Sequence, residues 1–215
     1  MAFWLKRVAE KLNADYFREA AARELDKKGE WPVFGTKLAT VERKMAVRIA
    51  KRVGHEIEKK GSSKETPYRV LDFGCGPGTT LRGLKQQFGD RVKTVGLVAE
   101  RTIGCKYGGV DEIIEGMHNL DGKYDFVFSY IGTTAYYPNK AVAITKAIEL
   151  LDSGGIAALD IGIRVKQAEL DEIRGVLARN GIRHFRITKR KSKKYPRLDE
   201  VYYLFFKKPA QRPEK

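Results

Sequence analysis

The sequence predicts an α/β protein built on a doubly wound, mostly parallel sheet and preceded by an N-terminal helical extension. Two observations carry that expectation. From residue 68 onward, short apolar runs alternate with segments of helical spacing, and strand, helix, strand in series puts helices on both faces of a parallel sheet. Ahead of that point apolar residues recur every fourth position, the repeat of an amphipathic helix.

Residues 1–65 read as the helical extension and residues 66–215 as the α/β domain. A first helix runs through Val8, Leu12, Tyr16 and Ala20 and stops near Gly29, a residue type that commonly ends helices. Glu30 to Thr36 is an aromatic loop, and its Trp31 and Phe34 either cover the core or form a lid over a site. A second helix carries Val41, Met45, Ile49, Val53 and Ile57 on its apolar face, with Arg43, Lys44, Arg48, Lys51 and Arg52 around the rest. The polar run Lys59 to Pro67 is expected to be a flexible connection.

Strands are expected at Arg69 to Phe73, Val92 to Val98, Glu112 to Glu115, Tyr124 to Ser129, Gly155 to Ile161, Arg183 to Thr188 and Val201 to Lys207. Helices are expected at Thr79 to Phe88, Asn139 to Leu151 and Lys166 to Asn180. The last two strands have no helix between them, so they form an antiparallel hairpin at or near a sheet edge.

The composition bounds the class of protein. A chain of 215 residues, 42% hydrophobic, builds one domain with a modest appendage and is not disordered throughout. It contains no run of about 18 apolar residues that would cross a membrane as a helix, and Met1 to Lys11 lack the apolar core of a secretory signal. Its two cysteines, Cys75 and Cys105, make neither a disulfide framework nor a zinc cluster. A cytoplasmic protein without a metal is expected. The excess of Lys and Arg, 42 against 27 acids, leaves a net charge of +15. Such a charge suits a polyanionic partner, and it also serves solubility alone.

The densest signal is Val70-Leu71-Asp72-Phe73-Gly74-Cys75-Gly76-Pro77-Gly78-Thr79. An apolar strand ends there in a glycine turn that opens a helix, at the carboxyl end of the first strand, where open α/β sheets bind ligands. Glycine suits the place because side chains would block a ligand from the backbone and because turn positions call for positive φ. A dinucleotide fingerprint would need a small residue where Thr79 stands.

These residues resemble the first motif of the class I S-adenosylmethionine-dependent methyltransferases. The resemblance runs from Tyr68 to Lys208 and includes Tyr124 to Ser129 as fourth strand, and Ala147 to Gly155 as the helix and turn before the fifth. It implies a Rossmann-like, seven-stranded sheet with an antiparallel C-terminal hairpin strand, S-adenosylmethionine as cofactor, and methyl transfer as activity. In that family the turn, here Gly74, Cys75, Gly76 and Gly78, cradles the methionine part of the cofactor, while the acid at Asp72 meets its amino end directly or through water. Two places depart from the pattern. The acid that usually holds the ribose hydroxyls is absent from the end of the second strand, and the nearest carboxylate is Glu100, slightly beyond it. Where the family often has Gly-Asp-Ala beside the adenine, this chain has Gly116-Met117-His118. Met117 can pack on an adenine face, but it accepts no amino proton as a carboxylate does.

Methyl transfer from a sulfonium is a direct displacement, so alignment supplies much of the acceleration and no base is essential. After the fourth strand comes Ser129-Tyr130-Ile131-Gly132-Thr133-Thr134-Ala135-Tyr136-Tyr137, which in the family borders the acceptor pocket. Ser129, Tyr130 and Tyr136 are candidates for orienting an acceptor, and His118 is a candidate base because histidine titrates near neutrality. The stretch lacks the Asn-Pro-Pro-Tyr type of tetrapeptide that marks methylation of exocyclic base amines, and neither cysteine stands where carbon-5 pyrimidine methylation needs one.

The candidate nucleic-acid contacts are Arg48, Lys51 and Arg52 on the basic helix, and Lys189, Arg190, Lys191, Lys193, Lys194, Tyr195 and Arg197 between the last two strands. Such cations neutralise phosphates, and Tyr195 offers a ring to an unpaired base. An RNA acceptor is therefore the leading expectation. A small-molecule acceptor and a non-catalytic nucleic-acid-binding module are the alternatives.

Overall fold

The computed structural model describes residues 36–98, 107–130, 132–137, 139–163, 165–190 and 200–210. The helix expected through Val8 to Ala20 and the aromatic loop up to Gly35 lie outside them. Two helices come first, α1 (Leu38–Met45) and α2 (Ile49–Lys60). They are followed by β1 (Tyr68–Asp72), α3 (Thr79–Phe88), β2 (Val92–Val98), β3 (Glu112–Glu115) and β4 (Tyr124–Ser129). After these come α4 (Thr133–Tyr136), α5 (Lys140–Leu150), β5 (Leu151–Ile163), α6 (Gln167–Arg179), β6 (Phe185–Arg190) and β7 (Val201–Lys207).

The seven strands form one sheet in the order β3-β2-β1-β4-β5-β7-β6. The first five pair in parallel, and β7 inserts antiparallel between β5 and β6. The expected hairpin is thus present, with β6 at the sheet edge. Alternating side chains send two apolar layers to opposite faces. Leu71, Val127 and Leu159 pack with Ile144, Ile148, Ile173 and Leu177 of α5 and α6. Val70, Phe126, Phe128 and Ala158 pack with Leu81 and Leu84 of α3, and with the helices that precede the sheet. Among the described residues, no helix is long and apolar enough to cross a membrane.

The single helix expected over Val41 to Ile57 is two helices. Residues spaced by four drift about 40° per repeat around an α-helix, so five of them spread over roughly 160° and cannot all face one surface. The chain breaks at Ala46, which adopts φ 53° and ψ 41°, and all five apolar residues become buried. Glu42 bridges the break, because its side-chain oxygen accepts the Ala50 N–H of the first turn of α2 at 2.8 Å. The Lys59 to Pro67 connection holds a local turn in which the Ser63 hydroxyl accepts the Glu65 and Thr66 N–H groups. The short helix α4 was not expected.

Candidate functional site

The glycine turn sits over the carboxyl end of β1, between β2 and β4. Its glycines adopt the left-handed region, with φ 124° at Gly74, 51° at Gly76 and 73° at Gly78. A Cβ on Gly74 would lie 2.6 Å from the Gly132 Cα and 2.8 Å from the Thr133 nitrogen, so the turn is packed directly on the start of α4. A Cβ on Gly78 would lie 2.6 Å from Val110 Cγ2. Val110 is itself fixed by its neighbour Asp111, whose carboxylate accepts from the Thr94 N–H and hydroxyl at 2.7 and 2.9 Å. The turn is thereby braced from both sides.

Asp72 is buried at the end of β1, and burial alone pushes its carboxyl well above the usual carboxylate range. An approaching ammonium is the chemical partner such a group lacks. Cys75, in the middle of the turn, directs its side chain toward β2. Its N–H donates to Leu97 O at 2.9 Å and its sulfur lies where a Cβ on Gly96 would come within 2.4 Å. The thiol fills the space left by a glycine in β2.

Met117 and His118 occupy a single turn after β3, tied to β2 by the Gly116 N–H donating to Val98 O. Met117 packs against the core on the side of Leu97, while His118 is exposed with its ring over Gly116. His118 follows β3, which three strand spacings, about 14 Å, separate from β4. Glu100 lies outside the described residues.

Ser129 lies at the carboxyl end of β4. It is fully buried, and its hydroxyl donates to Phe73 O at 3.0 Å while the Thr133 N–H donates to the same carbonyl at 2.9 Å. Ser129 holds the glycine turn to β4. The side chain of Tyr136 is not among those described. Tyr130 is half-buried on the face covered by α1.

Around Tyr130 the structure assembles groups that the sequence reading missed. Leu159 pairs with Ser129, and Asp160 pairs with Tyr203 of β7, which pairs in turn with Thr188 of β6. Tyr130, Asp160, Tyr203 and Thr188 therefore make one cross-strand row over four neighbouring strands. The row below it, Phe128, Ala158 and Phe205, is apolar. Asp160 is buried, and its carboxylate accepts the Gly162 N–H at 2.8 Å. Burial first, and then the Asp160 carboxylate, push both phenols up. Lys140 stands beside the same end of β5, with Nζ donating to Ala135 O at 3.1 Å, and burial pulls its ammonium down. The missed signal was an aspartate in the middle of the apolar run Ala157-Ala158-Leu159-Asp160-Ile161.

The two basic surfaces meet beside this row. Arg190 at the end of β6 donates from Nη1 to the carbonyl of Arg43 at 3.4 Å. Arg43 acts electrostatically on Tyr130 and Arg190 on Tyr203. Arg48 and Lys51 are exposed at the start of α2. Arg52 is exposed too, but its electrostatic neighbour is Tyr68, at the amino end of β1 and away from the turn. Lys189 pairs with Glu200 and lies over the Tyr202 ring. Lys191, Lys193, Lys194, Tyr195 and Arg197 lie outside the described residues. Among the described residues, no group of three or more His, Cys, Asp and Glu side chains is placed to hold a metal ion.

No family model matches the chain, and no curated protein does. Its structure is similar to many solved ones. A plantazolicin methyltransferase in complex with a substrate analogue and S-adenosylhomocysteine superposes with a TM-score of 0.55 at 13% identity, covering 94% of this chain and 96% of that one. A cyclopropane synthase from Mycobacterium tuberculosis gives 0.50 at 14%, over 74% and 83%. A phosphoethanolamine N-methyltransferase from Haemonchus contortus, in complex with phosphomonomethylethanolamine and S-adenosylhomocysteine, gives 0.52 at 13%, over 75% and 53%. The chain thus spans about half the length of that enzyme. At these identities the likeness is one of fold.

Proposed function

We propose, from the class I methyltransferase fold that this chain carries, that it binds S-adenosylmethionine and transfers the methyl group to a nucleic acid, with RNA as the favoured acceptor. One observation carries the first half of the reading. A left-handed glycine turn, braced between Val110 and Gly132, sits at the carboxyl end of β1 beside the buried Asp72 carboxyl, which no opposite charge among the described residues offsets. That arrangement suits a ligand bearing an ammonium close to the backbone. When bound, the cofactor supplies an electrophilic methyl group on a sulfonium. Asp72 would meet its amino end, the turn would take its methionine part, and Met117 would pack against the adenine in place of a hydrogen-bonding acid. Residues 66–215 are the catalytic unit in this reading, and residues 1–65 an extension that brings a basic surface to it. A cytoplasmic setting fits the same reading.

The acceptor half rests on the Arg43–Arg190 junction, where the basic face of α1 joins the basic end of β6 beside Tyr130. Phosphates are the partners that exposed, clustered arginines fit best. Calorimetric titration with S-adenosylmethionine and S-adenosylhomocysteine tests the first half, and no heat with either leaves only a binding module. Fluorescence anisotropy with mixed single-stranded RNA tests the second. Absence of binding at low ionic strength removes RNA and leaves a small-molecule acceptor.

A further inference from the structure

Helix α3 opens without the usual chemistry of a helix start. Its first residue, Thr79, follows Gly78, which has no side-chain oxygen to offer the first turn, and no acid stands in that turn. Arg82, the fourth residue of α3, adds a positive charge close to the end where the helix dipole is already positive. A cation there is unfavourable on local grounds, so its place calls for a tertiary reason.

The side chain supplies that reason. Helical side chains lean toward the amino terminus, and Arg82 runs back toward the glycine turn. Its Nη1 donates to Pro77 O at 2.8 Å, and its Nη2 donates to the Thr79 hydroxyl at 2.9 Å. From the same fork Nη1 also reaches Gly108 O, at 3.5 Å. The aliphatic stem crosses the neighbouring backbone, since a Cβ on Gly109 would lie 3.2 Å from Arg82 Cγ and 3.4 Å from Cδ. Residues 107–110 form a turn ahead of β3, closed by the Val110 N–H donating to Tyr107 O at 3.2 Å. Val110 also packs where a Cβ on Gly78 would stand. Arg82 and Val110 thus hold one segment to the glycine turn, the first by polar contacts and the second by an apolar one.

We infer that Arg82 is a positioning residue of the cofactor site, whose guanidinium fixes the spacing between Pro77 in the glycine turn and the 107–110 segment that leads into β3. The inference rests on the methyl-transfer reading above, and it adds a residue that acts on the cofactor only through the two backbones it joins. A guanidinium suits that task because its planar fork aims several donors at once, whereas an ammonium is a compact point charge on a flexible stem. Without the fork the segment opens more often. A ligand then binds only the closed fraction of molecules, and its affinity falls in proportion to that fraction.

The conservative variant Arg82→Lys, in the full chain, separates positioning from charge and from packing. It keeps the positive charge and most of the stem over Gly109, but not the fork. Without cofactor, hydrogen exchange at the Val110 N–H is expected to rise about tenfold over wild type, the scale of one lost hydrogen bond to a charged group. Calorimetric titration with S-adenosylmethionine is expected to show affinity weakened by about tenfold as well, because the same opening sets both. Ile173→Val, a core truncation in α6 on the opposite face of the sheet, lowers stability by a comparable amount and should leave both readouts at their wild-type values. Arg82→Lys indistinguishable from wild type overturns the inference. Raised exchange with unchanged affinity overturns it too, since the segment then does not shape the site, and so do equal losses in Ile173→Val. Wild-type protein that binds no S-adenosylmethionine overturns the methyl-transfer reading and this inference together, whereas cofactor binding that Arg82→Lys leaves unchanged overturns this inference alone.

Discussion

Asp72 contributes a pH dependence of its own at the residue scale. Burial raises its carboxyl, so the folded chain holds that proton more tightly than the unfolded one. Stability therefore falls as pH rises from the ordinary aspartate value, about 3.9, toward the raised folded value, and stays at the lower level above it. Asp72→Asn should remove that decline and leave the protein more stable than wild type at pH 7 in urea unfolding, while weakening S-adenosylmethionine binding. A variant less stable than wild type at pH 7 would contradict the assignment. Gly78 gives a second test at this scale. Its φ of 73° and the 2.6 Å approach to Val110 together make Gly78→Ala destabilising by about 2 kcal/mol, from left-handed strain plus overpacking. Thermal unfolding checks this, and a loss below about 0.5 kcal/mol would mean the turn relaxes freely. Glycine spacing and the end of an apolar strand made both residues legible in the sequence. Ser129 and Cys75 were legible as neighbours of the site, but not their orientation, because a side chain's direction depends on the strands it meets.

The break between α1 and α2 is decided at the scale of the element. In a continuous helix Ala46 is a good residue and Ala46→Gly costs about 1 kcal/mol. In the observed left-handed conformation at φ 53°, the same change should stabilise by roughly 0.5–1 kcal/mol, because glycine escapes the Cβ clash. The sign of the shift in urea unfolding thus separates one helix from two. Glu42→Ala should cost about 1 kcal/mol, the usual loss for an N-terminal capping acceptor, because the Ala50 N–H loses its partner at 2.8 Å. The spacing of Val41 to Ile57 predicted which residues are buried. It did not predict the break, which lets all five residues be buried although a straight helix would rotate them off a single face.

Charge becomes informative only over the whole molecule. An excess of 15 positive charges says little until the sheet brings the end of α1 to the end of β6. Once Arg190 and Arg43 adjoin, both should contact phosphate in the bound state. Replacing both by alanine is expected to make the slope of log affinity against log salt shallower by about 1.4 for single-stranded RNA, or 0.7 per phosphate contact. Arg52→Ala, beside Tyr68 and distant from the junction, should change the slope less than either arginine. Anisotropy titrations over a salt series read this directly, and equal effects from all three would mean that RNA follows α2 and not the junction.

The sequence by itself determined the order of the seven strands along the chain, the antiparallel hairpin at the sheet edge and the position of the glycine turn. Each of these follows from local periodicity or from glycine at a turn, which neighbouring residues fix. Tertiary structure alone decided that Tyr130, Asp160, Tyr203 and Thr188 form one row, that Ser129 and Cys75 turn inward, that His118 stays on the far side of the sheet, and that Arg43 meets Arg190. Those placements come from strand register and order, and residues 15 to 147 positions apart become neighbours only when β5 pairs with β4 and β7, β7 pairs with β6 and the helices close over them.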